Sequence, residues 1–100
     1  MFIILYRWKI KPEREEQFIK AWSEVTAYYV ENFNSLGSRL HRGEDGIYYA
    51  YAQWKTAEQR ENAFAEAEEL PALEEMREAV AERFEPVELR ILADYLRIES

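Results

Sequence analysis

The apolar pattern of this chain switches between a period of two and a period of three to four, and the order of the switches leaves few folds open. Phe2 to Ile10 is β-branched and aromatic, with Arg7 and Lys9 alternating against Tyr6, Trp8 and Ile10, which predicts a strand. Pro12 ends it, since the ring removes a backbone donor that a strand needs but a first helical turn does not. Phe18, Trp22, Val25, Tyr29 and Phe33 then recur three and four apart and predict a long amphipathic helix. Asn34 to Gly37 turns the chain. Leu36 to Arg42 and Ile47 to Trp54, joined by Gly43-Glu44-Asp45-Gly46, read as a hairpin with Asp-Gly at its turn. Thr56 stands as an N-cap with Gln59 three residues on, opening a second helical stretch. Pro71 is expected to break that stretch, while Leu73, Met76, Val80 and Phe84 carry its apolar face to about Pro86. Val87 to Ile98 is expected to close the chain as a last strand.

Strand, helix, strand, strand, helix, strand is the split βαβ order of the ferredoxin-like α+β sandwich. The expectation is one domain over residues 1–100, with a four-stranded antiparallel sheet covered on one face by helices. At 100 residues such a domain has a thin core, but 48% hydrophobic and 15% aromatic content is enough to argue against disorder. The net charge is −7, and ten of the twenty acids are glutamates between Glu58 and Glu85, a face that repels nucleic acid and anionic membranes. With no cysteine, disulfides, thiolate metal sites and thiol nucleophiles are excluded. The apolar start is interrupted by Arg7, Lys9 and Lys11, too soon for a spanning helix or a signal segment, and the reading is a cytoplasmic soluble protein.

A sheet covered on one face only should alternate apolar with polar, and these strands do not. Tyr6 and Trp8 share a face of the first strand while Ile3 and Leu5 lie on the other. Tyr48, Ala50, Ala52 and Trp54 oppose Tyr49 and Tyr51. In the last strand Leu92 and Leu96 oppose Val87, Leu89, Ile91 and Tyr95. A face of Ile3, Leu5, Tyr49, Tyr51, Leu92 and Leu96 left in water would be a patch of interface size, so the expected partner is a second copy packed sheet to sheet.

Three stretches, by their order and spacing, carry a resemblance. Tyr51-Ala52-Gln53-Trp54-Lys55-Thr56, Tyr6-Arg7-Trp8-Lys9-Ile10-Lys11-Pro12-Glu13 and Glu85-Pro86-Val87-Glu88-Leu89 resemble a strand end with capped helix start, the first strand-to-helix junction and the closing strand of the antibiotic biosynthesis monooxygenase family. The resemblance spans nearly the whole chain and implies a dimeric α/β barrel. It implies one of several roles: cofactor-independent oxygenation of quinols or polyketide aromatics, haem degradation, or no catalysis. The haem-degrading branch has an asparagine, a tryptophan and an axial histidine where this chain has Tyr6, Ala63 and Leu73, and Leu73 cannot ligate iron. No histidine lies between Glu58 and Phe84, where many relatives have them.

A cofactor-free oxygenase needs an easily ionised substrate, donors for the resulting anion and a dry apolar cavity. Tyr6 is the candidate catalytic donor, with Tyr48 and Trp54 as further donors and Trp22, Phe64 and Met76 as cavity walls. Arg90, in alternation with the inward residues of the last strand, could hold an anionic group. The competing reading of each aromatic is a packed core whose polar tips meet backbone carbonyls. His41, the only histidine, is the natural base by its titration range, but its alternation against Leu36 and Leu40 places it on the partner side or the sheet edge. The glutamates lack a patterned loop or a histidine partner and read as a solvated helix face, so no metal and no cofactor is expected. Two functions stand open: a cofactor-free monooxygenase acting on a phenolic or quinol-like substrate, and a noncatalytic dimeric binding domain. An open, polar-lined cavity would favour the first and a filled one the second.

Overall fold

In the computed structural model, residues 1–97 are described. Strand β1 (Phe2–Ile10) leads through one turn of 3-10 helix at Pro12–Arg14 into helix α1 (Glu15–Phe33). Asn34 ends α1 in the left-handed conformation at φ 57°, which its short polar side chain tolerates, and its N–H donates to the Tyr29 carbonyl. Strands β2 (Ser38–Arg42) and β3 (Tyr48–Trp54) form the expected hairpin, with Gly46 at φ 81° supplying the left-handed turn position.

Helix α2 (Ala57–Glu66) starts at Thr56, whose Oγ1 accepts from the Gln59 N–H at 3.0 Å. Gln59 Oε1 in turn accepts from the Lys55 N–H at 3.2 Å. Pro71 is the first residue of helix α3 (Pro71–Ala79), so the break falls before it, over 67–70. Leu70 is extended there, as a residue ahead of proline prefers to be.

After α3 the structure departs from the expectation. The helix stops at Ala79 rather than near Pro86, and strand β4 (Val80–Arg83) pairs with β1 as Ile10 with Val80, Lys9 with Glu82 and Trp8 with Arg83. The spacing of four from Val80 to Phe84 suits a helix, but a bulge opposite Lys9 and Ile10 sends the two residues to opposite faces, Val80 onto the core and Phe84 against Arg7. The free edge of β1 decides for the strand, aided by a 2.9 Å hydrogen bond from the Lys11 N–H to the Ala79 carbonyl. The last strand, β5, covers only Val87–Leu89, pairing with Ile3–Leu5. β4 and β5 thus share the lane expected for one long strand, and residues 90–97 form no regular element, while Ile98 lies outside the described residues.

The sheet order is β2-β3-β1-β4, all antiparallel, with β5 also on β1. This is a ferredoxin-like α+β fold, and within one chain the sheet is open. The core lies between sheet and helices. Trp8, Phe18, Tyr48, Ala50 and Ala79 form one buried cluster, while Ala21, Val25 and Ala72 form a second where α1 meets α3. On the far face Ile3 is only 1% exposed within the single chain, whereas Leu5, Tyr49 and Tyr51 are half-buried. Leu92 and Leu96, expected on that face, lie beyond the last strand at 90% and 87% exposure.

Candidate functional site

The even-numbered residues of β1 and β3 face the helices. Small Ala50 and Ala52 at the middle of β3 keep the floor low, and Ala52 forms part of the floor of a cavity of about 740 Å3 beneath α1, α2 and α3. Its walls include Tyr6, Trp22, Trp54, Phe64 and Met76, together with Tyr29 and Leu73. Five of the residues expected at a site are therefore gathered in one chamber. Tyr48 is not among its lining residues but lines a neighbouring recess, and Arg90 lies past the end of β5, exposed and away from both. Arg90 fails to reach the chamber because the strand expected to carry it inward ends at Leu89.

Trp54 and Tyr29 make one end of the chamber with Phe64. Tyr29 sits 5.2 Å from Phe64 and 6.0 Å from Trp54 between ring centroids, and Trp54 packs edge-on to Phe64 at 6.2 Å. Trp54 is buried, so it is both wall and core, while Phe64 is exposed enough to form the rim. Burial raises the Tyr29 phenol above its ordinary value, keeping it a neutral donor.

Arg60, one turn into α2, is the polar centre of the chamber. Its Nη2 and Nε donate to the Tyr6 hydroxyl oxygen at 2.7 and 3.2 Å, and its guanidinium lies 4.3 Å from the centroid of the Phe64 ring. Because the Tyr6 oxygen receives both bonds, its own O–H is left to donate into the chamber. In the sequence Arg60 stands among the charges that offset the glutamates. Its distances of three and four from Ala63 and Phe64 were the signal that it shares their inward face.

The neighbouring recess, of about 470 Å3, runs along β2 and shares Trp22 and Ser38 with the main chamber. Glu15 accepts hydrogen bonds there from Tyr48 and from Arg42, the latter at 2.6 Å, and these two bonds hold its carboxyl below the ordinary value. His41 is exposed on β2 with its Nδ1 3.2 Å from the Tyr49 carbonyl oxygen, so it sits at the sheet edge. Among the described residues no group of three or more His, Asp or Glu side chains is placed to hold a metal ion, and no helix is long and apolar enough to cross a membrane.

Residues 1–80 match the family model of antibiotic biosynthesis monooxygenase. No curated protein matches the sequence. Among solved structures the chain is similar to SnoaB, a cofactor-independent oxygenase from Streptomyces nogalater, at 17% identity and a TM-score of 0.78, covering 96% of this chain and 97% of that one. It is similar to a Nitrosomonas europaea protein named for antibiotic biosynthesis monooxygenases, at 16% identity and a TM-score of 0.75 over 93% and 100% of the two chains. A third is Rv0793 from Mycobacterium tuberculosis, at 9% identity and a TM-score of 0.74 over 95% and 98%. At these identities the structures establish the shared fold, and the family match over four-fifths of the sequence establishes the rest: the chain belongs to the antibiotic biosynthesis monooxygenase family.

Proposed function

We propose that this protein is a cofactor-independent monooxygenase that oxidises a phenolic or quinol-like aromatic with molecular oxygen. The observation that carries the reading is the Arg60 guanidinium bonded to Tyr6 Oη inside an aromatic chamber. A phenol bound with its oxygen at Tyr6 would meet an O–H donor backed by a fixed positive charge, the arrangement that stabilises a phenolate. The ionised ring is the electron donor to oxygen. One oxygen atom forms a new carbonyl on the ring, and the other leaves as water with the hydrogens lost from that carbon and from the hydroxyl, so a phenol becomes a quinone. Tyr29, Trp22, Trp54 and Met76 keep water from the reacting carbon.

The noncatalytic reading draws support from the missing histidines between Glu58 and Phe84, but the chamber is open and has polar groups in its wall rather than being filled by Trp22, Phe64 and Met76. Oxygen-electrode measurements with hydroxylated naphthalenes and anthracenes decide between them. Uptake of one O2 per quinone formed, reduced by Tyr6→Phe, supports the enzyme. Saturable binding of these compounds without uptake supports the binding domain.

The same proposal takes the working unit to be a homodimer joined through the sheet faces. Leu92, Tyr95 and Leu96 are 90%, 92% and 87% exposed within one chain, and Arg7 on the far sheet face has a buried Nε with no acceptor among the described residues. A second sheet laid on Leu5, Tyr49 and Tyr51 would bury the half-exposed part of that face, and the apolar residues past β5 would add surface for the same partner.

A further inference from the structure

Ser38 is the first residue of β2, directly across from Ala52, which in turn faces Ile4 on β1. Its Oγ is buried and has no hydrogen-bond partner among the described residues. A buried hydroxyl without a partner is destabilising, and such groups in native folds call for an explanation. Its placement supplies one. Ser38 and Trp22 are the two residues common to the main chamber and the recess along β2, so the unpaired hydroxyl stands at the junction of the two spaces.

The two ends differ in chemistry. The chamber offers Tyr6 and Arg60 to a phenolic oxygen. The recess is lined by the Arg39 and Arg42 guanidiniums against the single carboxylate of Glu15, to which Arg42 is already bonded, so one guanidinium is in excess. Tyr6 and Ser38 are two strands apart across the sheet and two residues apart along it, placing their Cα atoms roughly 12 Å from each other. A single ring does not span that distance.

We propose that chamber and recess form one elongated site for a phenolic aromatic acid, its phenol oxygen at Tyr6 and Arg60 and its carboxylate at the recess, hydrogen-bonded by Ser38. This rests on the reading of Tyr6 and Arg60 as the station for the phenol oxygen. Ser38 then acts as a specificity determinant, selecting ligands whose far end carries an acceptor, and its unpaired state is the condition in which it waits for one.

The test compares 2-naphthol with 6-hydroxy-2-naphthoic acid by tryptophan fluorescence titration in the wild type, Ser38→Ala and Arg60→Ala. The wild type should favour the acid about tenfold, and Ser38→Ala should weaken the acid about fivefold while leaving 2-naphthol unchanged. Urea unfolding of Ser38→Ala should show a midpoint equal to or above that of the wild type, because the substitution removes an unpaired buried hydroxyl. Equal loss for both probes, a lowered midpoint, or no preference for the acid would overturn the proposal. If Arg60→Ala weakens neither probe but the Ser38 selectivity persists, the Tyr6 and Arg60 reading fails and the Ser38 subsite stands. If neither probe binds the wild type, both fail.

Discussion

Arg60 grips the Tyr6 hydroxyl through two nitrogens, Nη2 at 2.7 Å and Nε at 3.2 Å, so a cation on α2 is tied to a phenol on β1 inside the chamber. The fork geometry matters as much as the charge. Arg60→Lys keeps the charge but offers a single point of contact, and it is expected to retain only part of the wild-type oxygen uptake. Arg60→Ala and Tyr6→Phe are each expected to lower kcat/KM roughly tenfold to a hundredfold, the range for losing a hydrogen bond to a charged group. Steady-state oxygen consumption by the three variants checks the order.

The exposed apolar residues past β5 make a second expectation concrete. Replacing Leu92 and Leu96 together by Asp places charges where a partner sheet would have to desolvate them. Sedimentation velocity should show a dimer for the wild type and a monomer for the double variant. A wild type that sediments as a monomer at micromolar concentration would sink the sheet-to-sheet pairing.

What the sequence could and could not convey divides along the range of the interactions involved. β1, α1, the hairpin and the Thr56 cap follow from local rules: a period, a proline, an Asp-Gly pair, a hydroxyl three residues before an amide. β4 does not, because the spacing of Val80 and Phe84 reads as helical and only the vacant edge of β1, far earlier in the chain, draws this segment into the sheet through a bulge. The site divides in the same way. Tyr6, Trp22, Trp54, Phe64 and Met76 come together because strand parity and helix period each point inward, whereas Arg90 depended on a strand that the chain does not continue. Arg60 offered only its spacing from Ala63 and Phe64, outweighed by its place in a glutamate-rich helix, and Ser38 offered nothing, since a serine at a strand start reads as surface until the absence of a tertiary partner is visible.

Glu15 ties α1 to the hairpin by accepting hydrogen bonds from Tyr48 on β3 and Arg42 on β2. Those bonds, Tyr48 first, lower its pKa in the folded chain below the ordinary glutamate value. A depressed folded value means that the stabilisation is fully present above the unfolded pKa and is lost as pH falls through the folded one. The stability of the wild type should therefore decline from about pH 4.5 downward, and part of that slope should vanish in Glu15→Gln. Thermal unfolding midpoints between pH 3 and pH 7 measure it. At pH 7 the variant should be the less stable of the two, with the difference narrowing toward pH 3.

Phe18 and Phe64 separate the two uses this chain makes of its aromatics. Phe18 is 0% exposed and meets Trp8 edge-on at 5.1 Å and Tyr48 at 6.2 Å between centroids, with nothing polar to compensate for its loss. Phe18→Ala leaves a cavity in a close-packed cluster and should destabilise the fold by about 3–5 kcal/mol, a large share of the stability of so small a domain. Phe64 is 45% exposed at the chamber rim, where its ring lies under the Arg60 guanidinium. Phe64→Ala forfeits part of a ring's burial, its contacts with Tyr29 and Trp54 and one cation–π contact, about 1–2 kcal/mol of stability, and frees Arg60 from the plane that orients it toward Tyr6. Chemical denaturation and oxygen uptake should therefore rank the two variants in opposite orders once the folded fraction of each is taken into account: Phe18→Ala the less stable with the higher turnover per folded molecule, Phe64→Ala stable but impaired. Equal impairment per folded molecule would show that the rim ring plays no part in holding Arg60 in place.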